Sequence, residues 1–143
     1  EAILARILQE EAGWVDHPLD RGGPTNRGIT LETLSAWRKS PQTAEDLKAL
    51  GVEETKEIYR AKYILPFKWV PAEVLSQVVD IGVLHGVGTA QFMVNRLQAQ
   101  KRLTNRALLG ERVDLIAEIV KSKPEQRAFL KGWLRRALRA GEA

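Results

Sequence analysis

With 143 residues, 44% of them hydrophobic and 28% charged, the chain has the size and composition of one globular domain with a buried core and a cleft. It contains no cysteine, which excludes disulfides and cysteine-based nucleophiles or metal sites, and its two histidines argue against a histidine-rich metal centre. No apolar run has the length of a membrane span. We therefore predict one domain over residues 1–143, without a cofactor or metal.

The positive charge is concentrated towards the C-terminus. Residues 96–143 carry 12 Lys or Arg against 5 Asp or Glu, whereas residues 1–95 carry 10 against 13. A basic C-terminal half favours an anionic partner such as nucleic acid, a cell-wall polymer or a membrane surface, although the same charges could simply solvate the outer faces of helices. Because Glu1 opens directly into a helical pattern, we expect no signal peptide.

Apolar residues recur at helical spacing along nearly the whole chain, which predicts an all-α fold. The first helix is expected to end near Gly13, and residues 15–30 then form a Gly- and Pro-rich loop or short hairpin. Thr30 is a candidate cap for a helix through about Arg38. A capping box opens the next helix, and further helices are predicted at about 53–64, 73–85, 89–98, 105–122 and 125–139. The helix at 73–85 is apolar almost all round, so we expect it to be central and buried.

Glu11 is the strongest candidate for a catalytic group. It follows the apolar stripe of the first helix and lies near the helix end, where burial and the helix dipole both favour a neutral carboxyl. A neutral carboxyl is what a general acid for glycoside cleavage needs. Glu10 is the obvious competitor, but Gly13 clears space beside Glu11 and Trp14 offers it an apolar wall. From these residues alone, a purely structural role for Glu11 is as plausible as a catalytic one.

The loop that follows carries a second carboxylate, Asp20, and a hydroxyl, Thr25, among glycines. Inverting glycosidases need such a set, since an acid protonates the leaving oxygen while a base activates water on the other side of the sugar. Thr25 and Asn26 are candidates for orienting that water. The alternative is that all three residues only satisfy backbone groups in turns.

The segment ILQEEAGWVDHPLDRGGPTNRGIT resembles the opening of glycoside hydrolase family 108, whose pattern is Glu-Gly-Gly-Tyr, an Asp-Pro-rich loop and Asp-x-Gly-Gly-x-Thr-x-x-Gly-Ile-Thr. The similarity continues through IYRAKYILPF, VVDIGVLHGVGTAQFMVNRLQ and ERVDLIAEIV. Members of this family are lysozyme-like N-acetylmuramidases found as phage endolysins and as bacterial secretion activators. The resemblance therefore implies a single lysozyme-like helical domain that lyses bacterial cell walls.

The resemblance also implies roles for individual residues. The family's catalytic glutamate falls on Glu11, while Asp20 and Thr25 match the Glu…Asp…Thr arrangement of other phage lysozymes. The implied reaction is cleavage of the bond between N-acetylmuramic acid and N-acetylglucosamine in peptidoglycan. We expect a monomer that is made in the bacterial cytoplasm and acts in the periplasm or cell wall after release or export.

The chain departs from the family pattern at two places. Glu-Gly-Gly-Tyr reads Glu-Ala-Gly-Trp here, so that Trp14 keeps the aromatic wall but drops a hydroxyl, and the usual Asn-x-Gly reads Leu84-His85-Gly86. We predict that Trp14, Asn26, Tyr59, Tyr63 and His85 contact the substrate across a cleft. For the two tyrosines a place in the core is equally compatible with the sequence, and for His85 and Asp80 a satisfied core position is the commoner outcome.

Three other functions stay open at this point. A lytic transglycosylase would cut the same bond with a single acid/base and give anhydro-sugar products. A helical DNA-binding module is suggested by the sequence pI near 9.6, but nothing in the basic half forms a recognisable recognition helix, so we predict no nucleic-acid partner. A non-catalytic wall-binding module would leave Glu11 structural. The basic helices from Arg96 onward are also predicted to contact the anionic cell envelope, and charge reversal at Arg135 and Arg136 would test that contact.

Overall fold

The computed structural model describes residues 1–11, 13–16 and 23–142, except the side chain of Glu142. The chain divides into two compact units, Glu1–Ala61 and Lys62–Ala143. Over the described residues the structure is mostly helical, with three two-residue strands, which confirms the predicted helical fold class. The grouping of both units into one domain stays a prediction.

The first helix, α1 (Ala2–Glu10), buries Leu4 and Ile7 and ends earlier than the sequence predicts. Glu11 is its C-cap with an extended backbone, although its N–H still bonds the carbonyl of Ile7 at 2.9 Å. The reason is tertiary, because the Gly13 carbonyl accepts a hydrogen bond from the backbone N–H of Arg27, 3.1 Å away. A continued helix would direct that carbonyl along its own axis instead.

The Gly-rich segment contributes an antiparallel sheet in the order β1 (Trp14–Val15), β2 (Thr25–Asn26) and β3 (Ile29–Thr30). In the described part of the predicted loop or hairpin at 15–30, β2 and β3 form a hairpin, and residues 17–22 lie outside the described residues. Its two-residue turn, Arg27-Gly28, has φ angles of 50° and 78°. Positive φ at both positions is the pattern of a type I′ turn, which matches the twist of the flanking strands.

Three helices complete the first unit: α2 (Leu31–Arg38), α3 (Ala44–Lys48) and α4 (Val52–Tyr59). The predicted caps are confirmed, since the Thr30 hydroxyl accepts from the N–H of Thr33 and the Thr43–Asp46 capping box is formed. These helices bury an apolar core that includes Leu34, Leu47, Leu50 and Ile58.

The prediction of one α-helix over 53–64 is wrong for its second half. After Tyr59 the chain continues as a π-helical turn, Arg60–Ile64, and a 3₁₀ turn, Leu65–Phe67. Pro66 supplies the reason, because a proline has no N–H and its ring collides with the carbonyl four residues earlier in an α-helix. The helix therefore cannot keep its regular geometry as it approaches Pro66.

The second unit contains α5 (Ala72–His85), α6 (Val87–Ala99), α7 (Asn105–Ser122) and α8 (Leu130–Glu142). As predicted, α5 is the most buried helix, and Val74, Val78 and Ile81 join Phe67 in its core. The predicted start of the last helix, at about residue 125, is wrong, since Pro124–Phe129 form a 3₁₀ helix before α8 begins. Across the described residues no helix is both long and apolar enough to cross a membrane.

A buried charge cluster joins three of these helices. Asp80 accepts hydrogen bonds from Arg112 Nη2 at 2.8 Å and from Arg136 Nε at 3.1 Å. Asp80 and Arg112 are fully buried, and Arg136 is 7% exposed. Gln77 extends the cluster, because its Oε1 accepts from Arg112 Nη1 at 3.1 Å. Asp80 is thus the satisfied core group that its place in an apolar helix suggests.

We expect Asp80→Asn to lower the free energy of unfolding by about 3–5 kcal/mol, because it removes the carboxylate charge that binds the buried guanidinium groups of Arg112 and Arg136. Urea unfolding followed by circular dichroism measures the change. The matched control is Glu54→Gln, which breaks a half-exposed ion pair with Arg38 (2.7 Å) and should cost about 1 kcal/mol or less. Equal losses in the two variants would contradict a structural role for the buried cluster.

Candidate active site

The carboxylate of Glu11 lies against the turn of the β2–β3 hairpin. Glu11 is half-buried at the end of α1, and Gly28 is the second residue of the turn. A Cβ atom added to Gly28 would lie 2.8 Å from Glu11 Oε2 and closer still to the hydroxyl of Tyr59. No side chain fits in this space, so the bare backbone of Gly28 is a condition for the position of the carboxylate.

Tyr59 and Arg27 hold the hairpin turn in place. Tyr59 is buried, at 1% exposure, and its hydroxyl donates to the carbonyl of Arg27 at 2.6 Å. The side chain of Arg27 donates to the carbonyl of Leu50, also at 2.6 Å. Arg27 is thus held from three places in the first unit: Gly13 just before β1, the α3–α4 connection, and α4.

Sequence reasoning missed Arg27 and Gly28 as members of this site. The available signal was a glycine at the second position of a two-residue turn between short strands, which favours a type I′ hairpin. This signal is weak in the sequence because the strands have only two residues each and show no alternation of polar and apolar residues. The contact of the turn with Glu11 depends on the tertiary fold.

Thr25 and Asn26 lie on opposite faces of the small sheet, because neighbours in a strand alternate. Asn26 is buried, and its amide nitrogen donates to the carbonyls of Leu47 at 2.8 Å and Lys48 at 3.2 Å, which ties the sheet to α3. Thr25 is half-buried and pairs with Val15 and Thr30. The roles that the sequence predicts for Thr25 and Asn26 stay predictions, and Asp20 lies outside the described residues.

Trp14 is 39% exposed at the start of β1. The Nζ of Lys48 lies 4.8 Å from the centre of its ring, which is a cation–π distance. This contact orients the indole while leaving part of it accessible. The predicted substrate contact of Trp14 stays a prediction.

The other two predicted contacts belong to the second unit. Tyr63 is half-buried in the π-helical turn, where Lys62 Nζ lies 5.3 Å from its ring centre. His85 ends α5, and its ring meets Trp133 edge to face at 6.5 Å. Among the described residues no hydrogen-bond partner reaches His85 Nε2.

Burial, together with the positive charge of Arg112, lowers the pKa of His85 from 6.5 to about 4. The unfolded chain then binds a proton at a higher pH than the folded chain does. The stability that a neutral His85 provides is therefore complete above pH 6.5 and is lost as the pH falls from about 6.5 to about 4.

Because the ring keeps some contact with solvent, we expect this loss to be about 1–2 kcal/mol. Glutamine does not titrate, so His85→Gln should remove this pH-dependent loss of stability. The difference in unfolding free energy between the wild type and the variant should therefore shrink as the pH falls from 7 to 4. Urea unfolding at several pH values tests this. A difference that stays constant with pH would contradict the assignment to His85.

Among the described residues, no group of three His, Asp or Glu side chains is placed to hold a metal ion. The first unit brings together a half-buried carboxylate, a glycine turn and a buried tyrosine hydroxyl. A positioned, partly accessible carboxyl group makes this part of the first unit a candidate site for general acid–base catalysis.

The chain belongs to the glycosyl hydrolase 108 family, whose model matches residues 4–86. This range contains most of α1, the hairpin and all of α5. The chain is also similar to the solved structure of SagA from Brucella abortus, with 30% sequence identity and a TM-score of 0.79, over 99% of this chain and 90% of that chain. The comparison with curated proteins gives no match. Membership confirms the resemblance seen in the sequence and makes the chain a glycoside hydrolase, for which the family implies peptidoglycan as the glycan substrate.

Proposed function

We propose that the chain is an N-acetylmuramidase that cleaves peptidoglycan between N-acetylmuramic acid and N-acetylglucosamine, with Glu11 as the general acid. One observation carries the choice of Glu11. Its carboxylate packs against Gly28, at a point where no Cβ fits. Family membership supports the reaction class, and this contact supports the residue.

The proposed reaction begins with Glu11 in its protonated form. The carboxyl group donates its proton to the glycosidic oxygen, so that the bond to the anomeric carbon breaks and positive charge develops on the sugar ring. Glu11 is half-exposed, so a glycan can approach it from the solvent side, while Gly28 backs it on the other. Tyr59 is too buried to stack on a sugar, and we assign it the task of holding the Arg27-Gly28 turn.

Asp20 and Thr25 are proposed to act on the opposite side of the scissile bond. In this proposal Asp20 either stabilises the developing charge or activates a water molecule, and Thr25 orients that water. Two carboxyl groups about 6.5–9.5 Å apart would give inversion, and a separation near 5 Å would give retention. Proton NMR of the freshly released anomer distinguishes these outcomes.

The bond that is cut can be identified from the new ends of the product. Purified murein is digested, reduced with borohydride and analysed by mass spectrometry. The proposed muramidase gives N-acetylmuramitol, whereas cleavage of the other glycosidic bond gives N-acetylglucosaminitol. Anhydromuramic acid, which borohydride does not reduce, would show a lytic transglycosylase instead.

The proposed contact with the anionic cell envelope depends on fewer charges than the sequence suggests. Arg112 and Arg136 are buried and bind Asp80, and Arg96 pairs with Glu111, so these three do not add free positive charge to the surface. Charge reversal at Arg136 would therefore test folding rather than wall binding. Arg135 is exposed and stays a suitable position for the test. We also propose that the protein acts in the periplasm or cell wall.

A further inference from the structure

A lysine ammonium lies beside the exposed tryptophan of the first unit. Lys48 is the last residue of α3, and its Nζ is 4.8 Å from the ring centre of Trp14. The lysine side chain is 49% exposed and the tryptophan is 39% exposed, so both can still contact a ligand. A ligand that touches Trp14 therefore comes close to a positive charge.

Backbone contacts, and not the ammonium itself, place Lys48 next to Trp14. In the small sheet Trp14 pairs with Asn26, and the amide nitrogen of Asn26 donates to the carbonyl of Lys48 at 3.2 Å. The same nitrogen donates to the carbonyl of Leu47 at 2.8 Å. The end of α3 is thus bound to the sheet through main-chain carbonyls, and a change of the Lys48 side chain leaves these bonds in place.

The charge of Lys48 is weakly engaged within the protein. Its ion pair with Glu45 has a separation of 3.6 Å and the Glu45 side chain is 84% exposed, so another anion can replace Glu45 at little cost. The guanidinium of Arg27, in contrast, binds the carbonyl of Leu50 at 2.6 Å. Residues 1–61 carry 8 Lys or Arg against 11 Asp or Glu, so Lys48 is a local positive site on an acidic unit.

This positive site is close in the chain to the proposed acid. Trp14 follows Glu11 by three residues, so their Cα atoms are at most about 11 Å apart. The strand that pairs with β1 leads into the turn whose Gly28 packs against the Glu11 carboxylate. A glycan that reaches Glu11 can therefore contact Trp14 with a neighbouring sugar.

We propose that Lys48 is a specificity-determining residue whose ammonium binds the free carboxylate of a muramic acid that carries no stem peptide. This carboxylate belongs to the lactyl group on the sugar ring, so it accompanies any muramic acid that contacts Trp14. In a peptide-bearing strand the same carboxyl group is part of an uncharged amide. The inference rests on the proposed muramidase function and narrows its substrate to peptide-free glycan.

The chemistry of this substrate defines the reaction that supplies it. Hydrolysis of the amide bond between the lactyl carbonyl and the stem peptide consumes one water, leaves the carboxylate on the sugar and releases the peptide as its free amine. The enzyme class that precedes this chain on a glycan strand is therefore an amidase.

The test compares three soluble glycan strands: peptide-bearing strands, strands freed of peptide by an amidase, and freed strands whose lactyl carboxylates are converted to methylamides. The last two differ in charge and hardly in size. The wild type should show a KM about 3- to 5-fold lower for the free carboxylate than for the methylamide, the upper range for an exposed ion pair, with similar kcat. Peptide-bearing strands should have a KM at least as high as the methylamide. Added salt should reduce the preference.

Lys48→Met keeps the apolar stem of the side chain and removes its charge, so the KM values for the carboxylate and the methylamide should become equal. Lys48→Arg should restore the preference. Glu45→Gln removes the anion that competes for the ammonium and should lower the KM for the free carboxylate further, by about 1.5- to 2-fold. The control is Lys39→Met, which removes an exposed lysine at the C-cap of α2 and should behave as the wild type.

A wild type without the preference, or a preference that survives in Lys48→Met, would overturn the inference. An equal rise of both KM values in Lys48→Met would also overturn it, because Lys48 would then serve only to hold Trp14. Kd values of the same strands for Glu11→Gln give the comparison without turnover. A preference in Kd without cleavage by the wild type refutes the proposed function alone, and cleavage without a preference refutes this inference alone.

Discussion

Glu11→Gln should lower the rate of murein cleavage by about 10²- to 10⁴-fold, the range that loss of a general acid produces. Glutamine keeps the shape of the side chain and its fit against Gly28, but it has no proton to give to the glycosidic oxygen. We therefore expect normal folding and normal binding to murein. Release of reducing ends from purified murein measures the activity, and thermal unfolding checks the fold.

The control for Glu11 is its neighbour. Glu10 is also half-buried and is the last residue of α1, so Glu10→Gln removes the same charge one position away. It should keep activity within about threefold of the wild type, since a charge away from the reacting atoms contributes little to the transition state. Loss of activity in Glu10→Gln with full activity in Glu11→Gln would transfer the acid role to Glu10.

A wild type that binds murein without cleaving it would instead favour a non-catalytic wall-binding module. Salt-sensitive binding to duplex DNA without murein cleavage would favour the DNA-binding alternative. In both cases Glu11→Gln should leave binding unchanged, which separates these results from a defect of folding.

Gly28→Ala is expected to lower kcat by about 100-fold, because a new methyl group would push the Glu11 carboxylate away from its position. A displacement of about 1 Å in a catalytic group is enough for such a loss. The substitution also places alanine at a φ of 78°, which strains the backbone. Steady-state kinetics on soluble murein fragments, with thermal unfolding of the same samples, measure both effects.

Gly23 provides the matched control for that strain. Its φ is 76°, nearly the same as that of Gly28, but a Cβ added there meets no atom of the described residues within 4 Å. Gly23→Ala should therefore show the loss of stability without the loss of kcat. Equal activity losses in both variants would show that strain, and not the contact with Glu11, causes the effect of Gly28→Ala.

A double variant identifies the contact more closely. In Gly28→Ala the methyl group would meet the Tyr59 hydroxyl most closely, so Tyr59→Phe removes the nearest obstacle. We expect Tyr59→Phe alone to lower kcat by about tenfold, because the turn loses its hydrogen bond to Arg27. Gly28→Ala combined with Tyr59→Phe should be more active than Gly28→Ala alone. An exact product of the two single effects would contradict this coupling.

The sequence by itself determined the helical class, most helix starts and the family. Caps at Thr30 and Thr43 could be predicted because a capping side chain bonds backbone groups within its own turn. The burial of α5 follows from a nearly continuous apolar run. Glu11 could be selected as the candidate acid for a similar reason, since its apolar neighbours lie within two turns of the same helix, and its catalytic role stays a prediction.

Tertiary structure alone decided the surroundings of the Glu11 carboxylate and which arginine side chains are buried as ion pairs. The contact of Glu11 with Gly28 and the bond from Tyr59 to Arg27 join residues 17 and 32 positions apart, and no local pattern encodes such pairs. In the same way, Arg112 and Arg136 count as surface charge in the sequence until the fold brings both to Asp80. Local chemistry determines where a segment begins and ends and which of its faces is buried. The partner of a polar side chain depends instead on which distant segment packs against it.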